Sequence, residues 1–171
     1  DGGNVVVTWQ DDSGAIKFRI YDGSLAPVTG ELPADDTPLV SITNDTPKVA
    51  ALADGGFIIV WQAYIDINSI FDIYARKFDA DGNAEGAEFR VNVLTDEAQV
   101  RPCVAQFADG TIFFAWQHDT GPNVDIVYRL FEEDLDPINS DIVATQVTAR
   151  QQFRPSVTTL SDGNLALVWD S

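Results

Sequence analysis

The sequence contains no methionine, one cysteine and one histidine. A lone cysteine cannot form a disulfide within the chain. Cys103 lies in an apolar run and is predicted to be a small buried hydrophobic residue rather than a nucleophile. His118 adjoins Asp119, but the sequence offers too few further partners for a catalytic triad or a metal site around it. A run of about 18 apolar residues is also missing, so no membrane span is predicted.

Basic residues are scarce. Ten lysines and arginines stand against 27 acidic residues, and the formal net charge is −17. This balance argues against nucleic acid or an anionic membrane surface as the partner. Because 45% of the residues are hydrophobic, a folded core is expected rather than disorder. The chain begins with Asp1 and shows no signal peptide, so we expect an internal or processed segment of a longer protein.

What the chain does contain is an internal repeat. Residues 47–61 (PKVAALADGGFIIVW), 102–116 (PCVAQFADGTIFFAW) and 155–169 (PSVTTLSDGNLALVW) share a proline 14 residues before a tryptophan and an Asp-Gly pair before that tryptophan. Residues 1–9 (DGGNVVVTW) form a partial copy. The four tryptophans lie 52, 55 and 53 residues apart. A period of this length is typical of a repeat architecture.

The repeat predicts short strands separated by tight turns. In the second repeat we expect strands at residues 49–52, 57–62, 73–79 and 88–92, and in the first repeat a fourth strand near residues 39–42. No helical period occurs. Four antiparallel strands per repeat predict an all-β fold of β-propeller-type blades. The alternative is a β-sandwich, which does not require a repeat.

We therefore expect one repeat domain over residues 1–171, with repeats at about 1–46 (partial), 47–101, 102–154 and 155–171 (partial). With roughly three repeats, the chain is expected to form an incomplete propeller or part of a larger array. Flanking repeats of the same protein or other copies of the chain are the partners expected to cover the end blades.

The second repeat resembles a known family. Its Asp54-Gly55-Gly56 turn, Trp61-Gln62, the segment KFDADG at 77–82 and the segment FRVN at 89–92 are similar to tandem repeats of large secreted bacterial proteins that often adjoin hemolysin-type calcium-binding (RTX) regions. Lys77 departs from that pattern, which has arginine there. The resemblance implies a propeller-like array, secretion, and a surface or adhesive role, and it brings no catalytic residues.

A calcium site is predicted in the hairpin after the third strand of the second repeat. Asp79, Asp81 and Asn83 have the oxygen spacing that opens an EF-hand loop, and Gly82 permits a sharp bend. Position twelve of such a loop is Arg90 instead of glutamate. The alternative is an ordinary turn, in which Asp, Gly and Asn are favoured for backbone reasons. No other cofactor is predicted.

Two sets of arginines recur between repeats. Arg19, Arg76 and Arg129 each precede an aromatic residue by two positions, and they either form an anion-binding ring or stack on aromatic rings and pair with a carboxylate of the next blade. Arg101 and Arg154 precede the repeat-opening prolines, where the first boundary has Thr46. With Gln99 and Gln152, they either line a central entrance or form a solvated structural pair.

A ligand site is predicted in the loop between the second and third strands of the second repeat. Tyr64, Asp66, Asn68 and Phe71 offer aromatic, carboxylate and amide groups, which a lectin uses to hold sugars, although scattered loop residues are the alternative. From the sequence we expect a non-enzymatic structural or adhesive module of a secreted or cell-surface bacterial protein. A carbohydrate-binding propeller that recognises cell-surface glycan is one alternative, and a sialidase-type propeller hydrolase is the other.

Overall fold

The structure of the protein is a computed structural model that describes residues 3–35, 43–64, 70–145 and 151–171. Within these ranges the chain forms thirteen strands and no helices. No helix long and apolar enough to cross a membrane is therefore present in the described segments. The strands are β1 (Val5–Gln10), β2 (Ile16–Tyr21), β3 (Leu32–Pro33), β4 (Thr43–Ala51), β5 (Phe57–Tyr64), β6 (Phe71–Phe78), β7 (Phe89–Arg90), β8 (Ala98–Gln106), β9 (Ile112–Asp119), β10 (Val124–Phe131), β11 (Ile142–Val143), β12 (Phe153–Thr159) and β13 (Leu165–Asp170).

The strands form four antiparallel sheets in chain order, which we call blades one to four. Blade one is β1-β2-β3, blade two is β4-β5-β6-β7, blade three is β8-β9-β10-β11, and blade four is β12-β13. The first strands of successive blades are neighbours, since β4 contacts β8 and β8 contacts β12. This arrangement confirms the predicted all-β fold with four-stranded blades.

The Asp-Gly pairs make the turns between the first two strands of blades two, three and four. Gly55, Gly110 and Gly163 have φ angles of 91°, 92° and 84°, which glycine adopts without steric cost. Gly56 is required for a second reason, because a Cβ there would lie 2.4 Å from the carbonyl oxygen of Phe78. The repeated motif is thus a backbone requirement of the turn.

Side chains of the second strands alternate between two neighbouring cores. In β5, Phe57, Ile59 and Trp61 pack against blade one, whereas Ile58 and Val60 pack against blade three. A third core lies between blades three and four and includes Cys103, which is buried as predicted. Trp116 is fully buried between blades two and three. One core between each pair of sheets distinguishes stacked blades from a two-sheet sandwich.

Two strand predictions need correction. The last strand of blade one is Leu32–Pro33, and the predicted position at residues 39–42 lies outside the described residues. In each of the first three blades the last strand begins 11 residues after the preceding strand ends, at Leu32, Phe89 and Ile142. The first strands also begin before the repeat-opening proline, because a β-bulge absorbs Pro47 and Pro102 without ending the ladder.

Candidate functional site

The first strands of blades two, three and four share a strained bulge. The residues immediately before the prolines, Thr46, Arg101 and Arg154, have φ angles of 52°, 55° and 53°. A left-handed conformation costs a residue with a side chain of the order of 1–3 kcal/mol, so it persists only where the surroundings hold it. All three residues lie at the end of the strands opposite the Asp-Gly turns, since Asp45 pairs with Gln62 and Val100 with Gln117.

These bulges surround a cavity of about 610 Å³ between blades two, three and four, which we call the central pocket. Its charged lining residues are Asp45, Lys48, Arg101, Asp119 and Arg154. Of the two alternatives given for Arg101 and Arg154, the lining of an entrance agrees with this geometry, and Thr46 at the equivalent position also lines the cavity. Thr46 also points an Oγ1 atom at the protein interior with no hydrogen-bond partner in the described residues.

The cations of the central pocket are poorly paired. Among the described residues, the side chains of Lys48 and Arg101 contact no carboxylate. Arg154 has only a long contact of 3.5 Å to Asp170, and both side chains are exposed. By contrast, Lys77 on the opposite face lies 2.8 Å from Asp54 and 3.2 Å from Glu85.

Two carboxylates lie in the same pocket. Asp45 accepts a 2.6 Å hydrogen bond from the backbone N–H of Thr46, and Asp119 accepts one of 2.8 Å from the N–H of Gly121. Each bond uses Oδ1 and fixes the carboxylate, at the bulge of β4 for Asp45 and at the end of β9 for Asp119. Oδ2 of both residues has no partner within the described residues, so it is available to a bound molecule.

Gln99 and Gln152, predicted beside the arginines, are buried and do not line the pocket. Gln99 accepts a 2.6 Å hydrogen bond from Nε1 of Trp116 and contacts Nδ1 of His118 at 2.8 Å. His118 in turn lies 3.0 Å from the carboxylate of Glu97. This network holds the buried tryptophan and occupies both ring nitrogens of the histidine.

The second set of arginines joins neighbouring blades. Nε of Arg76 and of Arg129 donates to the hairpin of its own blade, and Nη1 donates to a carbonyl of the preceding blade, at Ala34 and Val91. The guanidinium groups of Arg19, Arg76 and Arg129 lie 4.9–5.6 Å from the aromatic rings two positions on. The stacking prediction agrees with these distances. For Arg129, the partner across the boundary is a backbone carbonyl of the preceding blade, where a carboxylate of the next blade was predicted.

The predicted calcium residues form a closed turn. Oδ1 of Asp79 accepts hydrogen bonds from the N–H groups of Asp81 and Asn83, and Oδ2 accepts one from the side chain of Asn83. Asp11, Asp22 and Asp162 bond the N–H two residues on in the same way. No group of three metal-ligating side chains occurs in the part of the chain that the structure describes. The turn alternative accounts for this geometry, and calcium binding stays a prediction.

The predicted ligand residues are only partly described. Tyr64 and Phe71 face each other across β5 and β6, with ring centroids 5.3 Å apart. They lie at the same end of blade two as the central pocket, two residues beyond Gln62, but are not among the residues that line it. Asp66 and Asn68 lie outside the described residues.

No family model matches the chain, and no curated protein matches it. Solved structures match its fold. A thermostable family-43 glycoside hydrolase superposes on 97% of this chain with a TM-score of 0.60 at 17% identity. An endo-arabinase from Bacteroides thetaiotaomicron superposes on 97% with a TM-score of 0.56 at 12% identity. A Hadza microbial sialidase superposes on 90% with a TM-score of 0.59 at 14% identity.

The chain folds as part of a β-propeller. It spans 61%, 65% and 40% of the lengths of these three structures, so it corresponds to a portion of each propeller. At these identities the similarity establishes the fold alone.

The comparisons correct the expectation that the chain is not an enzyme, because the propellers that it matches belong to glycoside hydrolases and a sialidase. That expectation depended on the repeat, and a repeat reveals only what the blades have in common. Asp45 is replaced by Val100 and Phe153 at the equivalent positions of blades three and four. Asp119 corresponds to Tyr64 of blade two. The Gln that follows Trp61 and Trp116 was a usable signal for the pocket, since Gln62 and Gln117 both line it.

Proposed function

We propose that the chain is part of a glycoside hydrolase-type propeller that acts on negatively charged glycans in the central pocket. The carrying observation is the pair of cations, Lys48 and Arg101, that lack a carboxylate partner among the described residues. Both residues are exposed. In a chain with 27 acidic and ten basic residues, accessible cations that share one cleft attract an anionic ligand to it.

The chemistry of the cations selects the ligand class. A guanidinium group such as that of Arg101 binds a carboxylate or sulfate through two parallel hydrogen bonds. Arg154, at the equivalent position of the next blade, offers a second guanidinium group. A sugar that bears a carboxylate or a sulfate group satisfies both the charge and the geometry, whereas a neutral sugar leaves the cations unpaired.

The carboxylates supply the hydrolytic step. Glycoside hydrolysis uses two carboxyl groups beside the scissile bond, one of which donates a proton to the leaving oxygen while the other acts as base or nucleophile. Asp45 and Asp119 lie in the central pocket, each with one oxygen bound to a backbone N–H and the other available. We assign them as this pair.

This proposal locates the protein outside the cell or at its surface, where charged glycans are available, in agreement with the resemblance to secreted repeats. The aromatic pair of Tyr64 and Phe71, at the same end of blade two, provides apolar faces against which further sugar units can pack. The adhesive role expected from the sequence gives way to glycan processing in this proposal.

The test compares turnover of acidic and neutral substrates by the purified protein. We expect release of product from uronyl glycosides, for which the two-carboxylate mechanism holds, and less from arabinan. Asp45→Asn and Asp119→Asn are each expected to lower kcat by about 10²–10⁴-fold while the melting temperature is unchanged. Asp125→Asn is the matched control, because Asp125 lies on β10 away from the pocket.

Two outcomes contradict the proposal. Tight binding of acidic glycans without turnover identifies a carbohydrate-binding propeller instead of a hydrolase. Binding of neutral glycans in preference to acidic ones removes the role assigned to Lys48 and Arg101.

A further inference from the structure

Each arginine of the central pocket is held by a glutamine of the preceding blade. Oε1 of Gln62, in blade two, accepts a 2.7 Å hydrogen bond from the backbone N–H of Arg101 in blade three. Oε1 of Gln117, in blade three, accepts a 2.7 Å hydrogen bond from the N–H of Arg154 in blade four. The two glutamines are only 6% and 4% exposed, and each directly follows the buried-strand tryptophan of its blade.

These bonds stabilise the backbone at a residue whose conformation is strained. Arg101 and Arg154 both have the left-handed backbone conformation described above, which a residue with a side chain keeps only when its surroundings fix it. The direction in which a side chain leaves the strand depends on that conformation. A hydrogen bond to the N–H of Arg101 or Arg154 therefore sets where its guanidinium group lies.

The first blade boundary shows a different arrangement. There the equivalent residue is Thr46, and its N–H is bonded by the carboxylate of Asp45 instead of by a glutamine. Gln10, which matches Gln62 and Gln117 in the repeat, donates to the carbonyl of Asn44. At the two boundaries that have an arginine before the proline, a glutamine accepts the bond from the arginine N–H. At the boundary that has Thr46 instead, a carboxylate accepts it.

The neutral amide has a specific advantage beside an arginine. A carboxylate in the place of Gln62 or Gln117 accepts the same N–H bond but also pairs with the guanidinium that follows. An amide oxygen fixes the backbone and leaves the positive charge unpaired. We infer that Gln62 and Gln117 are positioning residues that hold Arg101 and Arg154, across blade boundaries, for the anionic group of the glycan.

This inference rests on the proposed function, and its experiment separates the two. The dissociation constants of 3′-sialyllactose and of trigalacturonic acid are measured by calorimetry for the purified protein and its variants. Gln62→Met and Gln117→Met remove the acceptor at nearly constant volume. Each is expected to weaken binding of the probe that the wild type prefers by about five- to tenfold or more.

Gln106→Met is the matched control. Gln106 is 7% exposed, and its Oε1 also accepts a 2.7 Å bond across the boundary of blades two and three, from the N–H of Ala53. That bond lies at the Asp-Gly turns, at the other end of the strands, and Gln106 does not line the pocket. Because Nε2 of Gln106 also donates to the carbonyl of Gly110, Gln106→Met is expected to lower the melting temperature at least as much as Gln62→Met does, without changing the dissociation constant.

A double-mutant cycle distinguishes positioning from direct contact. If Gln62 acts through Arg101, then Gln62→Met has no further effect on binding in an Arg101→Ala background. Additive losses, or an equal loss in Gln106→Met, overturn the inference. If the wild type binds neither probe, the proposed function fails and the inference with it; if it binds and both glutamine variants bind equally well, the inference alone fails.

Discussion

Nη1 of Arg129 donates a 2.7 Å hydrogen bond to the carbonyl oxygen of Val91, a residue of the preceding blade. The same guanidinium donates from Nε to the carbonyl of Asn139 at 2.8 Å and lies 4.9 Å from the ring centroid of Phe131. One side chain thus joins its own hairpin, an aromatic ring and the neighbouring blade. The planar fork of arginine makes this combination possible.

We therefore expect Arg129→Lys to lower the free energy of unfolding by about 1–3 kcal/mol, because a lysine leaves at least one half-buried carbonyl without its donor. Urea denaturation followed by tryptophan fluorescence measures the change. Arg154→Lys is the control, since the Arg154 side chain is 70% exposed, and it is expected to change stability by less than about 0.5 kcal/mol. Equal effects of the two substitutions contradict the bridging role.

Tryptophans at equivalent repeat positions differ in burial, which gives a second prediction. Trp116 is 0% exposed between blades two and three, whereas Trp169 in blade four is 39% exposed. Trp116→Ala is expected to cost about 3–5 kcal/mol of stability. Trp169→Ala, measured in the same denaturant series, is expected to cost much less. A loss below about 1 kcal/mol for Trp116→Ala contradicts packing of the blades around this side chain.

The third prediction concerns cations. Because the net charge is −17, raised salt or Ca²⁺ is expected to increase the melting temperature, mainly by screening repulsion and by weak binding at turns such as that of Asp79 and Asp81. Calcium is compared with magnesium and sodium at equal ionic strength to separate screening from binding. If EDTA in low-salt buffer leaves the melting temperature unchanged, and added salt does so too, the prediction is wrong.

The pH dependence of stability tests the ion pair between Lys77 and Asp54. The hydrogen bond from Lys77 holds the pKa of Asp54 below its ordinary value of 3.8. A carboxyl group with a lowered pKa stabilises the fold above its unfolded pKa, and this contribution is lost as the pH falls through the folded value.

Asp54→Asn isolates this contribution, because the amide oxygen can still accept the bond from the N–H of Gly56 that Asp54 Oδ1 accepts. The variant is expected to be less stable at pH 7 by no more than about 1 kcal/mol, since Asp54 is partly exposed. Denaturation curves for wild type and variant are expected to converge below pH 3.8. A difference that stays constant from pH 7 to pH 2 means that the ion pair is not its source.

Most of the strands and turns were predictable, because the repeat shows their spacing directly in the sequence. The Asp54-Gly55 turn and the apolar strand that ends at Trp61 recur with fixed spacing, and each has a local physical cause in turn geometry or burial. The strand at Leu32–Pro33 was missed because its two residues bear no apolar alternation. Local pattern predicts long strands well and short edge strands poorly.

The site was much less predictable. Arg101 and Arg154 were identified because they occupy equivalent positions, but Asp45 and Asp119 were not, since each lies at a position where the other blades have different residues. A pocket between blades is lined by residues from each blade. The sequence of a single repeat does not indicate which of those residues lie close together. Only the three-dimensional arrangement brings Asp45 and Asp119 into one cavity.

The burial of Cys103 provides the molecule with an internal reporter. Its thiol lies in the core between blades three and four, and burial raises its pKa to about 12. The reactive thiolate is therefore almost absent at neutral pH, and reagents reach the sulfur only when the two blades separate. Since no other cysteine exists in the chain, the rate of thiol labelling measures how often blades three and four separate in the native protein.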